Sequence, residues 1–120
     1  MRVLVVDDSV VMRMIIVRIL RKMGVLRIVE AGDGQEAWEA YEINHPNLVI
    51  TDWHMPNGDG LELTQKIRQG DPHVPIVMVT VVDSKASVVE AVRAGVNDYV
   101  CKPFGRDELQ HKLDRFIPVQ

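Results

Sequence analysis

Five short apolar, β-branched runs alternate with longer amphipathic stretches, and this alternation restricts the fold more than any other feature of the chain. The runs are RVLVV (2–6), RIVEA (27–31), NLVIT (47–51), PIVMVT (75–80) and NDYVC (97–101), all of strand length and composition. The segments between and after them begin near Asp8/Ser9, Gly34, Asp59, Ser84 and Gly105, and the first and fourth close at Gly24 and Gly95. These are helix start and stop signals. Strict strand-helix alternation requires right-handed crossovers and a parallel sheet covered on both faces, which explains why runs 1, 3 and 4 are almost wholly apolar. Runs 2 and 5 are more polar and are expected at the edges. The strand order 2-1-3-4-5 satisfies this, giving a doubly wound α/β fold with five helices on two faces.

The length of 120 residues fits one domain, expected to span 1–120 without linker or repeat, and suffices for a shared core. A net charge of -3 supplies no general attraction to nucleic acid or anionic lipid. No leader pattern or membrane-length apolar run is read, so the expectation is a cytosolic protein. Cys101 is single and lies in the apolar DYVCKP, where it reads as core. His45, His54, His73 and His111 are scattered, which argues against a histidine-based metal site.

Ligands of open parallel sheets bind at the carboxyl ends of the strands, where the chain switches direction. Here run 1 ends in Asp7-Asp8, run 3 in Asp52, run 4 in Thr80, and run 5 in Lys102-Pro103. Each residue alone has a plain reading. Asp7-Asp8 suits the cap of the first helix, Asp52 a turn, Lys102 a solvated side chain, and Thr80 a strand-end hydroxyl. Capping explains none of their common placement on four successive strands. Clustered carboxylates repel, and a hard divalent cation with oxygen ligands, Mg²⁺ above all, answers that repulsion. An aspartate can itself attack a phosphoryl group while a metal and a lysine neutralise charge. Asp52, in the middle of the rim with the acidic pair on one side and Thr80 and Lys102 on the other, is the expected nucleophile. The one-residue spacing of acids in haloacid-dehalogenase-like phosphatases is missing from VVDDSVV, and there is no P-loop, G-x-G-x-x-G or nucleophile-elbow serine.

Through VVDDS, DWHMPNGDGLEL, the Thr80 strand end and YVCKPF, the chain resembles the receiver domains of bacterial two-component response regulators, particularly the single-domain chemotaxis type. The resemblance covers residues 2 to about 117 and implies the flavodoxin-like topology with the same 2-1-3-4-5 order. It implies phosphoryl transfer to Asp52 from a sensor histidine kinase. It further implies Mg²⁺, with Mn²⁺ as a substitute, held by Asp8, Asp52 and the backbone carbonyl of His54, with Asp7 helping through water. Lys102 would pair with phosphoryl oxygens across a cis Lys102-Pro103 bond, and Thr80 and Tyr99 would act as switch residues. The readout surface would be helix 4, strand 5 and helix 5, near Lys85, Val88, Tyr99 and Lys112. The target would be a protein such as the flagellar motor switch, bound by a monomer that assists its own phosphorylation and dephosphorylation without being an enzyme. A receiver module of a larger regulator and a phosphorylation-independent interaction module are the alternatives.

Two positions depart from the family pattern. Val81 follows the threonine where the family has a small residue, and is expected to narrow access to Asp52. Val82, with His54, occupies positions that tune dephosphorylation in the family. On the first helix, Met12, Ile15, Ile16, Ile19 and Met23 are expected to face the core, with Arg13, Arg18, Arg21, Lys22 and Met14 mostly opposite. That basic edge suits a kinase's phosphodonor domain as well as a simply solvated face.

Overall fold

The computed structural model describes residues 1–118; Val119 and Gln120, included above in the expected domain, lie outside the described residues. The five strands are β1 (Arg2–Val6), β2 (Arg27–Ala31), β3 (Leu48–Thr51), β4 (Ile76–Thr80) and β5 (Asp98–Cys101). Between and after them run α1 (Val10–Lys22), α2 (Gly34–Asn44), α3 (Gly60–Gly70), α4 (Lys85–Ala94) and α5 (Arg106–Asp114). All strand pairs are parallel and the order is β2-β1-β3-β4-β5, as the polarity of the edge strands implies.

Helix starts are set by short polar side chains. Ser9, Asp33, Asp59 and Ser84 each accept a hydrogen bond from the backbone N–H three residues on, which satisfies one otherwise unpaired donor of the first turn. Ser9, not the preceding acids, therefore caps α1. Gly95 ends α4 with φ 117, a left-handed conformation that suits glycine.

Because strand side chains alternate in direction, each buried strand feeds two cores. Val3, Val5, Leu48, Ile50, Val77 and Val79 pack with Ile16, Ile19 and Leu20 of α1 and Leu109 and Leu113 of α5. Leu4, Val6, Val49, Ile76 and Met78 pack on the other face with Ala37, Leu63, Ile67 and Ala91 of α2, α3 and α4. Among the described residues no helix is long and apolar enough to cross a membrane.

The expected core face of α1 needs one correction. Ile15 is 43% exposed, Met12 and Met23 are only partly buried, and Leu20 is fully buried. Successive residues differ by about 100° on a helix, so a buried stripe centred between Ile19 and Leu20 leaves Ile15 at its border.

Candidate functional site

Parallel strands carry their carboxyl ends to one rim, and the polar residues stand there. The Asp7 side chain is almost wholly buried, held by Oδ1 accepting from the Ser9 backbone N–H at 2.9 Å. Asp8 is exposed beside it. On the neighbouring strand the Asp52 backbone N–H donates to the Val6 carbonyl at 2.9 Å, extending the β1–β3 ladder by one residue. Asp52 Oδ1 accepts from the Trp53 backbone N–H at 2.6 Å.

Lys102 closes the group. Its Nζ donates to Asp7 Oδ2 and to Asp52 Oδ2, each at 2.8 Å, and its own backbone N–H donates to the Thr80 carbonyl at 2.8 Å. The Lys102-Pro103 peptide is cis, as expected. Burial disfavours the Lys102 ammonium, but hydrogen bonds to Asp52 and Asp7, together with their charges, outweigh it and raise its pKa above the usual 10.5. Lys102 is thus a firm cation at neutral pH. Asp7, Asp8 and Asp52 each offer a carboxylate oxygen within 4.8 Å of the others. Three hard oxygen donors against one ammonium leave negative charge in excess, and this donor set fits a divalent cation such as Mg²⁺.

The loop after Asp52 is held by close backbone approaches. A Cβ on Gly60 would lie 1.9 Å from the Asp52 carbonyl oxygen, and one on Gly34 would lie 2.0 Å from the Gly58 carbonyl oxygen. Asn57, at φ 57, donates from its side chain to Asp33 Oδ2 at 3.2 Å, tying the loop to the cap of α2. Trp53 packs into the second core cluster, 7% exposed, and the exposed His54 stacks on it with ring centroids 5.9 Å apart.

Thr80 is buried at the end of β4, and its hydroxyl oxygen accepts from the Val82 backbone N–H at 3.4 Å. Tyr99 on β5 is half-buried and its hydroxyl donates to the Val82 carbonyl. Burial first, then the charges of Cys101, Asp83 and Asp52, push the Tyr99 phenol up to about 12. Val81 is 68% exposed, its branched side chain standing mostly in solvent next to the buried Thr80. One expectation shifts here. Cys101, read as core, is only partly buried at the end of β5.

On the helical faces, Met14, Arg18, Arg21 and Lys22 of α1 are exposed as expected, and exposed Val10, Val11 and Ile15 extend them with an apolar strip. Arg13 departs from this group: it is half-buried and turned toward Asp7 and Glu30. On the expected readout side, Lys85 is exposed, Lys112 pairs with Asp98 at 3.3 Å, and Val89 and Val92 add exposed apolar surface. Arg13 was not legible as a site residue because its partner at Asp7 is a backbone carbonyl, which leaves no trace in side-chain spacing. Gly60 carried a signal in NGDG, but a glycine cluster marks a turn without naming what it approaches.

A doubly wound parallel sheet with this acidic rim is matched by the family model described as the response regulator receiver domain, over residues 3–114. The chain belongs to that family. It is 44% identical over 117 residues to the chemotaxis protein CheY1 of Helicobacter pylori, covering 95% of this chain and 94% of that protein. Among solved structures, the receiver domain of the Francisella response regulator 1452 superposes with a TM-score of 0.87 at 29% identity, covering 97% of this chain and 95% of that one. The response regulator domain of Thermotoga maritima CheB gives 0.86 at 32% identity, covering 100% and 98%.

Proposed function

We propose that this chain is a phosphoacceptor switch of the chemotaxis type, working in the cytoplasm as a monomer. The observation that carries the reading is the Lys102 ammonium bridging the Asp7 and Asp52 carboxylates, with Asp8 completing a three-acid cluster. An Asp52 carboxylate oxygen forms the new O–P bond as the N–P bond of a kinase phosphohistidine breaks. The released imidazole keeps the N–P electron pair and takes a proton. Asp7, Asp8, Asp52 and the His54 carbonyl would hold Mg²⁺ or Mn²⁺, which supplies charge neutralisation for the phosphoryl oxygens. Lys102 exchanges one carboxylate contact for a phosphoryl oxygen, and that charge-assisted bond favours the acyl phosphate.

The phosphoryl group adds negative charge and three acceptor oxygens at the rim. The Thr80 hydroxyl is one strand away, and its reorientation toward the new acceptors would loosen its link to the Val82 N–H. Tyr99 is tied to the same residue through the Val82 carbonyl, so Thr80 and Tyr99 respond together. The α4, β5 and α5 face then presents a changed surface to a downstream protein such as the flagellar motor switch, without nucleic acid or membrane.

Titration with Mg²⁺ followed by a small acyl phosphate, read by Trp53 fluorescence, tests this. A second change on adding the phosphodonor is expected in wild type and not in Asp52→Asn; identical traces would sink the proposal.

Two further outcomes are expected. Apolar Val82 cannot orient an attacking water, so Val82→Glu should shorten the acyl phosphate lifetime about tenfold, short of the roughly hundredfold or more that a fully positioned general base supplies. An unchanged lifetime contradicts this role. The α1 face joins an apolar strip to Arg18, Arg21 and Lys22, which suits a phosphodonor domain with an acidic rim around its histidine. Charge reversal at Arg18 and Arg21 should slow phosphotransfer from the kinase at low salt but leave phosphorylation by a small donor intact. Equal kinase rates would return this face to simple solvation.

A further inference from the structure

Arg13 lies outside the roles assigned above, yet it touches the acidic turn directly. Its Nη1 donates to the backbone carbonyl of Asp7, and its Nε donates to Glu30 Oε1 at 3.2 Å. Only 17% of the side chain is exposed, against 48% for Glu30. The guanidinium therefore links three elements: α1, on which it sits, the end of β1, and the edge strand β2.

With this contact Asp7 is held at every polar atom. Its N–H donates to the Ala31 carbonyl at 3.1 Å, Oδ1 accepts from the Ser9 N–H, Oδ2 accepts from Lys102, and its carbonyl accepts from Arg13. Asp8 has no such support: among the described residues no hydrogen bond reaches its exposed carboxylate. Its place is inherited from the turn on either side. The Asp7 carbonyl is the last backbone acceptor before Asp8, so whatever fixes that peptide aims the Asp8 side chain.

We propose that Arg13, oriented by Glu30, is a positioning residue for the Mg²⁺-binding turn, acting through the Asp7–Asp8 peptide and not by contact with metal or phosphoryl group. The inference rests on the reading of the acidic rim as a Mg²⁺ site. It makes a prediction of unusual sign. By charge alone, removing a cation next to a metal site tightens divalent binding. By positioning, removing Arg13 loosens it, because ligands left unoriented bind more weakly.

The test is titration of wild type, Arg13→Gln and Glu30→Ala with Mg²⁺ alone at constant ionic strength, read by Trp53 fluorescence, with thermal melts in metal-free buffer. Arg13→Gln should weaken Mg²⁺ binding about tenfold, the lower end of the loss seen for a partner that orients a metal ligand. Glu30→Ala should weaken it less, in the same direction. Arg13→Lys, which keeps the charge but cannot span Asp7 and Glu30 with a fork, should restore only part of the affinity. Unchanged or tighter binding in Arg13→Gln overturns the proposal. If Arg13→Gln does not fold, Arg13→Lys decides it: the charge is kept, so weaker Mg²⁺ binding than in wild type supports positioning and unchanged binding overturns it. A wild-type protein that binds no Mg²⁺ by fluorescence or calorimetry overturns the functional reading itself, a failure distinct from equal affinities in wild type and variant.

Discussion

Lys102→Met is expected to lower stability by about 3 kcal/mol in metal-free buffer, because it strips the shared cation from two carboxylates that are nearly buried. For a chain of this size that corresponds to a fall in Tm of about 10 °C or more. Methionine preserves the apolar stem, so packing loss contributes little. The raised Lys102 pKa sets the pH behaviour of the wild type. A raised folded-state value means that the stabilisation is fully present below the ordinary 10.5 and is lost only as pH rises through the raised value. The wild-type pair should therefore be insensitive to pH near neutrality. The variant leaves clustered carboxylates without their counter-cation. Mg²⁺ should recover more stability in the variant than in wild type, since it replaces a missing cation. Thermal melts across pH, with and without Mg²⁺, check both statements; equal recovery in the two proteins would separate Lys102 from the acidic cluster.

Gly60→Ala should be nearly as damaging for a different reason. The added methyl would sit 1.9 Å from the carbonyl oxygen of Asp52 and 3.0 Å from its carbonyl carbon. Both are backbone atoms and cannot swing aside, so either α3 or the end of β3 must move. Overpacking of this kind costs about 3 kcal/mol. The shift also falls on the residue that carries the proposed reaction. A displacement of about 1 Å at a reacting group can lower a rate about a hundredfold, so phosphorylation by a small donor should fall to that extent even at temperatures where the variant remains folded. Gly70→Ala is the matched control, because an added Cβ there meets nothing within 4 Å. It should be neutral or slightly stabilising. If both variants phosphorylate alike, the close approach beneath Asp52 is not what fixes the loop.

The parts of the molecule written in side-chain pattern are legible in the sequence itself. Apolar runs bounded by polar caps placed β1 to β5, and polarity alone sent β2 and β5 to the edges. Asp7, Asp8, Asp52, Thr80 and Lys102 could be gathered at one rim because a parallel sheet carries every strand end to the same side. What escaped depends on angle and backbone. Ile15 was expected inside because a helical wheel gives the spread of a stripe but not where the sheet meets it. Arg13 shared the composition of a solvated basic face and left it only because the turn before α1 brings the Asp7 carbonyl within its reach. Gly34 and Gly60 signalled turns, while the carbonyls they approach belong to segments that only the folded chain brings close.

The most direct test of the account is where a phosphoryl group lands. Wild type and Asp52→Asn are incubated with a small acyl phosphate and Mg²⁺, quenched, weighed intact by mass spectrometry and then mapped by peptide. A single phosphoryl adduct is expected in wild type, on the peptide that carries Asp52, and none in Asp52→Asn. An adduct of equal yield in both proteins, or one mapped to another residue, would contradict it.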